Sequence, residues 1–293
     1  MLTIPRFIKK SPEFADITVD GITFVQFQSR RSEVRHEVCV SKHSLVFVLE
    51  GTKYIHSSDG DMVIHKGEAF FCRKGCHLMS EMIPENGGTF DTALIFFDDN
   101  MFADFIDRLP LATSGVAEPD CAAFRIKISE QVGIYLSSML SLFESPLGQD
   151  DGFLRLKIQE LLHYVFTTPG NDEFVRFLLS CRNSGSVDLS VVMEKYFNKN
   201  ISLDAMAELS GRSLSSFKRE FKKTFNTTPA RWIRKRRMSW AEQLIRNSGK
   251  SITEISYESG YESLSHFSSL FRKNYGVTPR EYRAELNSAK SGL

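Results

Sequence analysis

Long hydrophobic runs are missing from this 293-residue chain. No unbroken apolar stretch approaches the roughly 18 residues that mark a bilayer-spanning helix. Residues 1–25 hold no apolar core of the signal-peptide type. Both absences point to a soluble, cytoplasmic protein without membrane partners. Cysteine is also scarce: Cys39, Cys72, Cys76, Cys121 and Cys181 are five in number and scattered. Without a leader they read as free thiols in a reducing compartment. Cys72 and Cys76 are spaced for a redox or metal pair, but no second Cys/His pair completes a site. There is no glycine-rich phosphate loop, nucleophile elbow or metalloprotease helix, so the sequence offers no enzyme chemistry and no cofactor site.

Net charge is almost absent at +1, yet the total hides a division. From residue 187 onward, 19 Lys+Arg stand against 11 Asp+Glu; the preceding residues carry 18 against 25. A basic C-terminal part beside an acidic N-terminal part suits a polyanionic partner for the former only.

What is present is a repeat. The sequence 213–229 aligns with 263–279 without gaps, and 8 of the 17 positions are identical. That likeness marks a duplicated structural unit. Each copy reads as a helix-turn-helix. In the first, Ser202 caps a short helix, Gly211 supplies the turn, and Ser213 opens a second helix with Leu214, Phe217, Phe221 and Phe225 facing inward. In the second, Ser251, Gly260 and Ser263 hold the matching places, and Leu264, Phe267, Leu270, Phe271 and Tyr275 form the inward face. The small residues Ala207 and Ser256 permit the steep helix crossing of this motif.

The outward faces are short, polar and basic. Ser213, Ser215, Ser216, Lys218, Arg219 and Lys222 mark the first copy. Ser263, Ser265, His266, Ser269, Arg272 and Lys273 mark the second. Hydroxyls and cations at the start of a second helix can enter a DNA major groove, reach base edges and hold phosphates. Between the copies, residues 229–247 read as a helix opened by Pro229, about 27 Å long if 18 residues are helical. Such a rod can set two reading helices near successive major-groove openings on one DNA face, about 34 Å apart. Arg231, Arg234, Lys235, Arg236 and Arg237 make it basic and favour phosphate contact; Arg234 and Arg237 join the candidate DNA-binding set.

Residues 187–286 resemble the C-terminal domain of the AraC/XylS family of bacterial transcription regulators. The resemblance rests on Ala207, Gly211, Phe217, Phe221, Pro229, Arg237, Ala241, Leu244, Ile255, Gly260, Phe267, Phe271, Gly276 and Pro279. It implies base reading by Ser215, Lys218 and Arg219, and by Ser265, His266 and Ser269. Three departures stand out. Asn226 replaces a frequent Gly, Ser256 a frequent Ala, and Ser269 a frequent base-contacting Arg or Lys, so the second unit is expected to read fewer bases. The resemblance also implies double-stranded DNA and RNA polymerase as partners, and transcriptional activation as the outcome.

Upstream, residues 22–27, 45–49, 53–56, 62–65, 69–72 and 93–97 form short β-type runs. Turn residues separate them, and Asp59-Gly60 suits a hairpin. Residues 46–51 and 67–71 are similar to the cupin-like barrel common at the N-terminus of this family. Metal-binding cupins place two His one residue apart, followed by Glu and a further His. His43, His56, His65 and His77 do not follow that spacing, so no metal is expected. The 24 phenylalanines point to a filled barrel interior. Helices are predicted over 125–143, 153–166 and 173–181; they either cover the barrel or pair two subunits, and the resemblance implies a homodimer through residues 125–182.

The fold class is therefore α+β with two domains. An N-terminal cupin-like β-barrel with following helices occupies 1–182, an Asn-Ser-Gly-Ser linker 183–186, and an all-α domain with two helix-turn-helix units joined by a linker helix 187–293. The function expected is a sequence-specific DNA-binding regulator controlled through its N-terminal domain by a small molecule or a protein. Two alternatives stay open: a barrel that only binds a protein partner, or a metal-dependent cupin enzyme with an accessory DNA-binding domain.

Overall fold

The computed structural model describes residues 2–5, 7–8, 14–19, 22–57, 60–97, 122–145, 148, 150–181 and 188–291. The predicted linker at 183–186 and Asp59 of the predicted hairpin lie outside them. The chain divides into two compact units, 1–185 and 186–293.

The first unit is built on strands β1 (Leu2–Ile4), β2 (Asp16–Val19), β3 (Ile22–Ser29), β4 (Glu33–Val40), β5 (His43–Glu50), β6 (Thr52–His56), β7 (Met62–His65), β8 (Ala69–Cys72), β9 (Gly75–Met82), β10 (Phe90–Phe97) and β11 (Ala123–Ile126). They form two sheets, in the orders β1-β4-β9-β6-β7 and β11-β8-β5-β10-β3-β2. Neither ladder closes on itself among the described residues, so the expected barrel takes the form of two facing sheets with free edges.

The second sheet is covered on both sides, which explains why its strands read as unbroken apolar runs. On β5, Leu45 and Phe47 join Phe71, Phe97 and Phe124 in one core, and Val46 and Val48 join Phe70, Leu94 and Val38 in another. The first core also holds helices α1 (Glu130–Leu140), α2 (Asp151–Thr167) and α3 (Asp172–Cys181). The phenylalanines therefore concentrate under the helices. The space between the sheets is not filled as their abundance suggested; it holds a cavity of about 720 Å³.

One predicted boundary shifts. Residues 125 and 126 belong to β11, where Phe124 and Ile126 alternate inward against β8, and the helix begins only at Glu130. Strands β4 and β9 were not legible, because His36, His77 and Glu81 interrupt their apolar face.

The free-thiol reading is corrected for two cysteines. Cys39 and Cys76 are register partners on β4 and β9, with Cα atoms 4.0 Å apart, and form a disulfide. Their separation of 37 residues gave no sign of it. Cys72 is free and buried, and burial pushes its thiol up to about 12; it makes no pair with Cys76.

The second unit is helical: α4 (Leu189–Tyr196), α5 (Leu203–Leu209), α6 (Leu214–Phe225), α7 (Pro229–Asn247), α8 (Ile252–Glu258), α9 (Leu264–Tyr275) and α10 (Pro279–Ser291). Among the described residues no helix is long and apolar enough to cross a membrane.

Candidate nucleic-acid interface

The two repeats fold alike, down to single hydrogen bonds. The Ser202 hydroxyl accepts from the Ala205 amide and opens α5; the Ser251 hydroxyl accepts from the Glu254 amide and opens α8. At Ser251 the box is reciprocal, since the Glu254 carboxylate takes the Ser251 amide. That amide holds the Glu254 carboxyl below its ordinary range. After α5, Gly211 turns at φ +71°, and after α8, Gly260 turns at φ +84°. The Arg212 amide reaches the Ala207 carbonyl at 2.9 Å, as the Tyr261 amide reaches that of Ser256 at 3.0 Å. Ala207 and Ser256 are buried, which lets the next helix cross closely.

That next helix is capped by Ser213 in one unit and Ser263 in the other, each hydroxyl accepting an amide three residues on at 3.3 Å. Asn226 ends α6 in the left-handed region at φ 50°, as Gly276 ends α9 at φ 84°. The replacement of glycine by Asn226 thus preserves the turn, because Asn tolerates that conformation. Phe221 lies 4.4 Å from Phe225 and 6.2 Å from Trp232; in the second copy Phe271 lies 4.5 Å from Tyr275 and 5.5 Å from Tyr282. The second helix of each unit is thus fixed by a ladder of aromatic rings on its inner side.

The opposite side is open. Ser213, Ser215, Lys218, Arg219 and Lys222 are exposed on α6, and Ser216 is half-buried. Ser263, Ser265, His266, Ser269, Arg272 and Lys273 are exposed at and along α9. Arg219 and His266 both face solvent. A groove in this unit carries Arg231, Arg234 and Lys235 of α7 together with Lys273 of α9, floored by Trp232, Tyr261 and Leu270.

Arg237 departs from this set. Its Nε donates to the Phe197 carbonyl at 2.6 Å, Nη1 to the Gly260 carbonyl at 2.6 Å, and Nη2 to the Lys199 carbonyl at 2.8 Å. The guanidinium is turned inward and clasps the turn of the second unit to the chain after α4. A Cβ at position 260 would fall 2.8 Å from its central carbon, so glycine is required there by crowding as well as by φ. Arg236 is also engaged, with Glu194 at 2.9 Å and over the Phe197 ring at 4.8 Å. One-dimensional spacing cannot separate such anchors from phosphate contacts, since all lie in one basic run.

In the first unit the sequence named no pocket residues. The cavity brings together Lys53, Glu81, His36 and Glu33 among apolar walls. The nearest ligand atoms of Glu33, His36 and Glu81 lie within 4.8 Å of one another. Lys53 donates to Glu81 Oε1 and so already supplies a cation to that carboxylate. His43 and His77 make ordinary hydrogen bonds: His43 Nδ1 accepts from the Lys74 amide at 3.2 Å, and His77 Nε2 lies 2.8 Å from the Arg73 carbonyl.

Two capped, aromatic-backed helices with exposed polar and basic faces define a tandem helix-turn-helix protein that binds DNA. Residues 206–285 match the family model of a helix-turn-helix domain, and residues 43–177 match that of the ExsA N-terminal regulatory domain. The chain belongs to the AraC/XylS family of transcription regulators. It is 27% identical over 249 residues to the transcriptional regulator ExsA of Pseudomonas aeruginosa, covering 84% of this chain and 88% of that one. It is 31% identical over 129 residues to the thermoregulatory protein LcrF of Yersinia pestis, covering 44% and 48%. Among solved structures it is similar to apo ToxT of Vibrio cholerae, at 14% identity and a TM-score of 0.46, over 92% of this chain and 99% of that one.

Proposed function

We propose that the chain activates transcription by placing α6 and α9 in the major groove of one operator. The observation that carries this reading is the paired outward face. Ser215 and Ser265 hold the same place in the two copies, as do Arg219 and Ser269, and all four are exposed; Lys218 on α6 and His266 on α9 are exposed beside them. Arg219 and His266 read base edges; Lys222, Arg234, Arg272 and Lys273 hold phosphates. RNA polymerase is the further partner that an activator of this family requires.

Control enters through the first unit, by an effector in its cavity. Two copies pair through α1 and α2, whose Ile134 and Leu156 are 67% and 65% exposed. These are large apolar side chains left facing water, unlike the buried face of the same helices. Selection of bound DNA from a random pool with the full chain, followed by gel-shift titration of Arg219→Ala and His266→Ala, tests the operator reading. Both variants lose affinity for the selected site and keep their unfolding temperature. Unchanged affinity in both removes these helices from the interface.

A further inference from the structure

The outer face of the first sheet carries the Cys39–Cys76 disulfide. On β4, His36, Val38 and Val40 line the cavity, and on β9, Met79 and Glu81 do so. Strand alternation therefore turns Cys39 and Cys76 the other way, out of the cavity. The ladder from Glu33 opposite Glu81 to Val40 opposite Gly75 already holds these strands together, with Val38, Val40 and Met79 packed in the core beneath it. The bond is thus not needed to define their pairing. A bacterial transcription regulator works beside the chromosome, in a compartment where thiols are kept reduced. Disulfides found there are chiefly transient, catalytic or redox-sensing.

The two sulfurs differ in access. In thiol–disulfide exchange the attacking thiolate approaches along the S–S axis, from beyond the sulfur it attacks, so access to that sulfur limits the rate. The axis runs across the strands, because Cys39 and Cys76 are register partners on β4 and β9. Beyond Cys39 stands β1, where Thr3 is its register partner, and Cys39 is only 1% exposed. Beyond Cys76 no strand stands among the described residues: β6 pairs with β9 only from Leu78 to Met82, and Cys76 is half-buried. Cys72 does not compete. It is buried with its thiol pushed up to about 12, and so supplies almost no thiolate.

We propose that Cys39–Cys76 is a reversible exchange site for small cellular thiols of the glutathione class, entered at Cys76 Sγ. A glutathione thiolate attacks that sulfur, the S–S bond breaks, and its electron pair leaves on Cys39 Sγ, which takes up a proton. A second thiolate attacks the glutathione sulfur of the mixed disulfide and frees Cys76, which is protonated in turn. Two glutathiones leave as their disulfide and two cysteines are reduced; oxidised glutathione drives the reverse. The site stands on strand register and exposure. It is independent of what fills the cavity and of how α6 and α9 meet DNA.

The test uses the full-length folded chain and glutathione itself. The oxidised chain is held in native buffer with reduced glutathione in large excess, quenched with acid, alkylated and digested, and its peptides are weighed. The linked peptide that joins Cys39 to Cys76 disappears, both cysteines appear alkylated, and the link returns when oxidised glutathione is placed in excess. At early times the mixed disulfide is found on Cys76. Two variants check the point of entry. With oxidised glutathione, Cys39→Ser takes the adduct at Cys76 at least about tenfold faster than Cys76→Ser takes it at Cys39, because access to the sulfur limits exchange. If either variant does not fold, the early adduct on the unmodified chain decides the same point. A link that survives reduced glutathione in the folded chain and opens only in denaturant makes the bond a structural clip and overturns the proposal. So does an early adduct on Cys39, or failure of the link to form under oxidised glutathione.

Discussion

Arg237 separates the structural reading from the sequence reading most sharply. The basic run around it suggested a phosphate contact; its three bonds to the carbonyls of Phe197, Lys199 and Gly260 make it an internal anchor. Replacement by alanine removes all three donors. A hydrogen bond from a charged donor contributes about 1.5–3 kcal/mol, and the guanidinium is only partly buried, so water can reach some of the freed carbonyls. Taking about 1 kcal/mol for each of three bonds gives a loss of about 3 kcal/mol. For a unit of about 100 residues this lowers the melting temperature by roughly 15 °C. Calorimetry on Arg237→Ala reads that shift directly. A phosphate ligand would behave differently: the melting temperature would hold, and the slope of log affinity against log salt would fall by about 0.9. That second outcome would refute the anchor.

Other outcomes follow from the same geometry. Arg219→Ala weakens a selected operator by about 1–3 kcal/mol while leaving non-specific DNA nearly unaffected, as competition gel shifts will show. Lys222→Ala instead weakens all sequences alike and reduces the salt slope by about one unit. Phe221→Ala empties a fully buried site between Phe217, Phe225 and Trp232, at a cost of about 3–5 kcal/mol in chemical denaturation. Lys53→Met strands the buried Glu81 carboxylate and costs about 3–5 kcal/mol; the double variant Lys53→Met with Glu81→Leu recovers most of it.

The second unit was largely legible because its signals are local. Caps at Ser202, Ser213, Ser251 and Ser263, turns at Gly211 and Gly260, and aromatic residues at helical spacing all act within a few positions. The gapless duplication let each copy check the other. The first unit resisted because its determinants are long-range. Cys39 meets Cys76, and Lys53 meets Glu81, only through strand register. Apolar residues on both faces of β5 erased the alternation that would have told the helix side from the sheet side. The phenylalanine count was therefore informative about the amount of core and misleading about its place. Arg237 failed for another reason: an anchor and a phosphate ligand want the same side chain.

Helix α7 serves both copies at once. Trp232 near its start packs on Phe221, and Met238, Ala241 and Ile245 further along enter the core of the second copy. At 3.6 residues per turn, inserting one residue midway would swing one reader about 100° around the rod relative to the other, and deleting one would swing it back the other way. Neither could then share a face of the double helix with its twin. If α6 and α9 both enter the groove as proposed, the length of this segment acts as a ruler for the spacing of the two contact sites.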